Sequence, residues 1–250
     1  MTPLLQVDRL KVRYGQLTAV HDVSLSVDPG EIVCIVGPNG AGKSTTLAAI
    51  AGGVAVVDGS VALGGVPIRG RRSVAIAAMG VSLVPEGRHV FATMSVVENL
   101  AIGASALRER RRLGPEIERV FEIFPQLRER AAQPAGKLSG GEQQMLVVGR
   151  ALMTRPKIML IDEPSLGLAP KIVDTVYDIL LRLREAEGLT LLINEQSSER
   201  ILKFADRLYV LREGRMQLSG RPAEFAGTDA VQSAYFGFDH QGGATREAHA

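Results

Sequence analysis

The chain has 250 residues, the span of one large domain or of one domain carrying an inserted subdomain, and too few for two full domains with a linker. Hydrophobic residues make up 46% and charged residues 22%, which excludes a disordered chain and supplies a buried core. With 29 basic against 27 acidic residues the net charge is only +2, too small for the field of a dedicated nucleic-acid binder.

The start, MTPLLQVDRLKVRYG, carries Asp8, Arg9 and Lys11 where a secretory signal would have its apolar core. From Leu4 to Val27 apolar and polar residues alternate on either side of Gly15 and Gln16, the pattern of two antiparallel strands. That pair is a sheet edge or a small β subdomain. Asp28-Pro29-Gly30 is turn chemistry, and IVCIV at 32–36 is a continuous β-branched run of the kind buried on both faces of a parallel sheet. It contains Cys34, the one cysteine, so neither a disulfide framework nor a cysteine metal cluster is available, and a reducing compartment is expected.

Directly after this strand comes Gly37-Pro38-Asn39-Gly40-Ala41-Gly42-Lys43-Ser44, which fits G-x-x-x-x-G-K-[ST] and runs through Thr45 into an apolar helix. Glycines 37, 40 and 42 let the backbone curl with its N–H groups inward, and the helix that follows adds about half a positive charge at its N-terminus. The pattern predicts a cradle for β- and γ-phosphates, with Lys43 as a mobile point charge and the Ser44 hydroxyl as a Mg²⁺ ligand. The bland alternative, a glycine-rich turn before a helix, leaves the strand and helix flanks unexplained.

The uncharged stretches 44–57 and 73–85 are interrupted by Gly and shorter than the roughly 18 residues of a spanning helix, so no transmembrane helix is expected. Between Val96 and Arg130 the pattern turns to helical periods rich in Arg and Glu, which places an inserted helical subdomain at about 87–155. In LSGGEQQ, at 138–144, Ser139 and Glu142 form an S-x-x-E capping box, and Gly140 and Gly141 leave the N–H groups of the following helix bare. Such a terminus is an anion site.

A second buried run, IMLID at 158–162, ends on Asp162-Glu163. A carboxylate at the carboxyl end of a central parallel strand borders the crevice where ligands bind. Asp162 is placed to hold Mg²⁺ through water, and Glu163 to act as general base toward a water in line with the γ-phosphate. A third run, LTLLIN at 189–194, follows a helix from Pro170 to Glu187 that closes before Gly188. Strand, helix, strand implies a parallel α/β sheet. The tail after Phe236 has no apolar periodicity and is expected to be mobile over 238–250.

With LSGGEQQ beside the phosphate loop and Asp162-Glu163, the sequence resembles the ABC ATPases from Tyr14 to Gly237. The resemblance implies an α/β ATPase fold with a mostly parallel sheet, an antiparallel β subdomain and the helical insertion, in a single ATP-binding domain over 1–237. It further implies ATP and Mg²⁺ as cofactors, with ATP sandwiched in a dimer between one phosphate loop and the partner's Ser139, Gly140 and Gly141. Tyr14 stands where the family stacks an aromatic ring on adenine, although a lone Tyr at a strand end also serves simple packing. SLGL at 165–168 occupies a dimer-contact loop, and 84–100 matches the segment that meets a membrane-embedded partner.

Two positions depart from the family: Glu86 replaces the usual Gln of the metal-binding loop, and Gln196 replaces the usual switch His. Both, with SLGLAP, resemble the smaller ATPase subunit of branched-chain amino-acid importers; urea and short-chain amide importers share many of these features. That branch implies a peripheral subunit on the cytoplasmic face of the membrane. Its partners would be a second ABC ATPase subunit, usually a different chain, two permeases and an extracytoplasmic solute-binding protein. A non-transport ABC ATPase acting on nucleic acid has only RERRR at 108–112 in its favour, without aromatic residues to stack bases. A kinase using the same phosphate loop leaves LSGGEQQ unexplained.

Overall fold

A computed structural model describes residues 2–104, 113–196, 203–225 and 228–236. The basic run 108–112 and the tail 238–250 lie outside the described residues. Among the described residues ten strands form one sheet in the order β5-β4-β1-β2-β10-β9-β3-β8-β7-β6. Its centre is parallel: β3 (Ile32–Val36) lies between β8 (Thr190–Glu195) and β9 (Arg207–Arg212), and β7 (Ile158–Asp162) joins β8 to β6 (Val81–Val84). The other half is antiparallel, with β1 (Leu5–Tyr14) between β2 (Leu17–Val27) and β4 (Val56–Leu63), and β5 (Val66–Pro67) beyond. β10 (Arg215–Gly220) pairs antiparallel with β9 and meets β2 at one parallel bridge. The β1–β2 pair is therefore inside the sheet, and β5 and β6 form the edges.

The continuous apolar runs follow from helices on both sides. Ile32, Cys34 and Val36 of β3 enter a core with Ile161, Ile193, Leu146, Leu180 and Phe124, whereas Val33 and Ile35 enter a second core with Leu47, Ile50, Leu160 and Leu192. Period-two alternation thus sends one strand's side chains into two cores, and each fully buried Leu or Ile contributes roughly 1.5–3 kcal/mol. The second core lies under α1 (Lys43–Ile50) and α2 (Ser73–Ala78). The first is covered by α3 (Val96–Gly103), α4 (Leu113–Ile123), α5 (Pro125–Glu129), α6 (Gly140–Leu152) and α7 (Pro170–Glu187), with α8 (Ala230–Phe236) alongside. In α7, Pro170 opens the first turn, Val173, Val176, Tyr177, Leu180 and Leu183 form the buried stripe, and Gly188 ends the helix at φ 64°.

These layers put the ends of β3, β7 and β8 side by side at the carboxyl edge of the parallel strands.

Candidate active site

The loop between β3 and α1 is shaped by contacts that only glycine allows. A Cβ on Gly37 would lie 2.0 Å from the Leu211 carbonyl oxygen. Gly42, at φ 100°, would put one 2.7 Å from that of Ala19. Gly42 caps α1 without any side-chain hydrogen bond, and the first turn holds no acidic residue. The first N–H groups of α1 are thus left for an anion, whereas in α3 and α6 capping boxes engage the N-cap and third N–H groups and leave the two between them.

Lys43 is 4% exposed and folds back over the loop, donating from Nζ to the Gly37 carbonyl at 2.8 Å and the Pro38 carbonyl at 3.2 Å. The same Nζ lies 3.4 Å from Glu163 Oε1. Glu163, just past β7 at φ 47°, is 7% exposed, and its Oε2 accepts a hydrogen bond from Gln196 Nε2 at 2.6 Å. Its backbone N–H donates to the Asn194 carbonyl at 3.0 Å. A buried carboxylate is thus held between a cation of the phosphate loop and an amide that follows β8, charge-assisted contacts that fix its direction.

These groups line a cleft of about 760 Å³ together with Tyr14, Asn39, Gly40, Ala41, Gly42, Ser44, Thr45 and Glu86. Ser44 and Glu86 are exposed to it, and Tyr14, half-exposed, stands at its rim beside Leu17. Gly37 and Pro38 form the base of the loop and meet Lys43 through their carbonyls. Asp162 is not on the wall: it is buried behind it, its Oδ1 accepting from Asn194 Nδ2 at 3.1 Å. Ser139, Gly140 and Gly141 do not line the cleft; they open α6, where the Ser139 hydroxyl accepts from the Glu142 N–H and Glu142 reaches back to the Ser139 N–H. Partial burial would raise the Glu142 carboxyl's pKa, but these Ser139 contacts and the Arg130 charge hold it below the usual range.

Packing adds a second reason for Gly141, where a Cβ would meet Ile172 Cγ2 at 2.6 Å, whereas one on Gly140 would meet only the mobile end of Arg88, Nη1 at 2.8 Å. Arg88, at φ 66°, donates to the Gly167 carbonyl at 3.1 Å, so the guanidinium beside Gly140 is tied to the loop after Glu163. Sequence reasoning missed two buried polar residues here. Asn194 is 0% exposed, and Glu195, 4% exposed, accepts from Tyr177 Oη at 2.6 Å and from Ser165 Oγ at 2.9 Å. Their signal was polarity itself at the end of an otherwise apolar strand.

The family model for ABC transporter matches residues 20–166. The chain is 44% identical over 234 residues to the branched-chain amino acid transport ATP-binding protein BraG of Pseudomonas aeruginosa, covering 94% of this chain and all of the relative. A probable branched-chain amino acid transport ATP-binding protein, LivF of Archaeoglobus fulgidus, is 35% identical over 88% of this chain and 93% of its own length. Among solved structures, an ATP-binding cassette of an ABC transporter superposes with a TM-score of 0.83 at 29% identity, covering 94% of this chain and 99% of that one. Its ADP-bound conformation superposes at 0.81. The fold is that of an ATP-binding cassette. The chain belongs to the ABC transporter family of ATPases.

Proposed function

We propose that the chain is an ATP-hydrolysing subunit of an ABC importer for branched-chain or similar apolar amino acids. The observation that carries the hydrolytic part is Glu163, gripped by Lys43 and Gln196 at the mouth of a phosphate loop. In this reading the loop N–H groups and the bare N-terminus of α1 take the β- and γ-phosphates, and Lys43 transfers its charge from Glu163 and the two loop carbonyls to phosphate oxygens. Glu163, released from the cation but still aligned by Gln196, accepts a proton from the attacking water, an effect on the order of 10² to 10⁴ in rate. Gln196 positions and does not itself carry a proton, because an amide only donates and accepts hydrogen bonds. Tyr14 stacks on the adenine.

The residues fit Mg²⁺. Ser44, Glu86 and Asp162 offer hard oxygen donors, and buried Asn194 Oδ1 finds no donor among the described residues. When bound the cation neutralises charge on the phosphate oxygens.

Because Ser139, Gly140 and Gly141 lie away from the cleft, they are read as completing the ATP site of a partner ATPase subunit. Pseudomonas aeruginosa BraF carries the same transport description as BraG and is 31% identical to this chain, and two such proteins in one organism favour a partner that is a different chain. No helix among the described residues is long and apolar enough to cross a membrane. The transport names of these relatives support attachment to the cytoplasmic face through two permeases, with a solute-binding protein acting on their far side. The names of these relatives favour branched-chain amino acids over urea or short amides as cargo. Co-expression of a tagged chain with its operon partners tests the assembly. Recovery of a second ATPase and two permeases, with ATP hydrolysis faster than that of the chain alone, is expected; a chain that purifies alone from membranes would oppose it.

A further inference from the structure

Strand β8 is buried over its whole length, yet its fifth residue is an amide. The register sets Asn194 between Ile35 of β3 and Asp162 of β7, so all three share one sheet face. Two residues earlier on that face Leu192 packs with Leu160, Leu47 and Ile50. An apolar side chain would suit this place better, since a buried amide must recover its lost hydration through hydrogen bonds. Asn194 recovers only part of it: Nδ2 donates to Asp162 Oδ1 at 3.1 Å, and Oδ1 has no partner among the described residues. The reverse orientation of the amide would set oxygen against oxygen, so the carboxylate fixes which way it points.

Resting on the reading of Asp162 as a holder of the nucleotide's Mg²⁺, we infer that Asn194 is a positioning residue for that carboxylate. By engaging Oδ1 it fixes the plane of the Asp162 carboxylate and leaves Oδ2 for the hydrated cation. Its own orphaned Oδ1 is an acceptor for a water that travels with the cation, as buried waters satisfy otherwise unpaired polar atoms. Outer partners of this kind orient a metal-holding group without touching the metal, and losing one lowers metal affinity about tenfold to a hundredfold.

The test uses the full chain saturated with a non-hydrolysable ATP analogue, with Mn²⁺ as the probe and bound Mn²⁺ read by electron paramagnetic resonance. Asn194→Leu keeps the shape and removes both polar atoms. The free Mn²⁺ needed for half-saturation should rise at least tenfold, while analogue affinity in EDTA stays within twofold of wild type. Asp162→Asn should also raise it, and adding Asn194→Leu to that variant should cause no further rise. Asn194→Val serves in place of Leu if circular dichroism finds the Leu chain unfolded. Wild-type Mn²⁺ affinity in Asn194→Leu, with a loss in Asp162→Asn, would overturn the inference and spare the reading beneath it. Wild-type affinity in both would overturn the role of Asp162 and the inference together.

Discussion

Glu163→Gln separates binding from chemistry, because the amide keeps the shape and an oxygen to accept from Gln196 but cannot take a proton. Losing a general base costs on the order of 10² to 10⁴ in rate, about 2.7 to 5.4 kcal/mol of barrier. Binding should move the other way. At 3.4 Å, with an effective dielectric of about 20, the attraction between Lys43 and Glu163 is about 5 kcal/mol before desolvation is counted. ATP must compete with that contact, and its γ-phosphate also meets the carboxylate as a like charge. Phosphate oxygens replace most of what Lys43 gives up, so only a fraction reaches the binding constant, an affinity gain of about threefold to tenfold, or about 0.7 to 1.4 kcal/mol. Equilibrium binding of labelled ATP to the full chain reads the affinity, and phosphate release by the assembled complex reads the rate. A variant that keeps most of its turnover would refute Glu163 as the base; one that binds ATP more weakly would refute the competition for Lys43.

Lys43→Ala should weaken ATP binding about tenfold to a hundredfold, the worth of a charge-assisted hydrogen bond, in the same binding assay. Gln196→Ala should lower turnover by freeing Glu163, and wild-type activity there would dismiss its role. Gln196→His should be active at pH 8 and lose activity as pH falls through about 6.5, where an imidazolium beside Glu163 would hold the carboxylate as an ion pair; wild type should lack that step. Tyr177→Phe removes the 2.6 Å bond to buried Glu195 and should cost about 1.5–3 kcal/mol, a fall of roughly 3–12 °C in Tm by calorimetry. Burial, followed by the charges of Glu195 and Asp206, pushes the Cys34 thiol well above its ordinary pKa. The folded chain keeps that proton where an unfolded one loses it, so this group's contribution to stability declines above about pH 8.5. At pH 8 a disulfide reagent should label Cys34 only after denaturant is added.

Features set by local chemistry could be read directly from the sequence. The buried runs at 32–36 and 158–162 are strands with those bounds. The run read as 189–194 is a strand shifted by one residue, and the helix opened by Pro170 and closed by Gly188 holds its expected span. What stayed hidden depends on distant partners. β4 has no clean alternation because Gly59 sits where a Cβ would lie 2.3 Å from the Arg9 carbonyl oxygen, at an irregularity in its pairing with β1. β6 is four residues long, too short for a period to declare itself. β9 and β10 take their places from pairing with β3 and β2 across the chain. The same limit applied to the site: the motifs named Lys43, Glu163 and Gln196 separately, but their mutual contacts, and the hold of Asn194 on Asp162, required the ends of β3, β7 and β8 to be brought together.

The cargo lies beyond the reach of the phosphate site, so the decisive measurement is transport. Uptake of labelled leucine, isoleucine, valine and urea should be followed in cells lacking the gene and in the same cells carrying either wild type or Glu163→Gln. Loss of branched-chain amino-acid uptake, restored by wild type and not by Glu163→Gln, with urea uptake unchanged, is the expected result. Amino-acid uptake that survives deletion while urea uptake disappears would contradict the assignment of cargo.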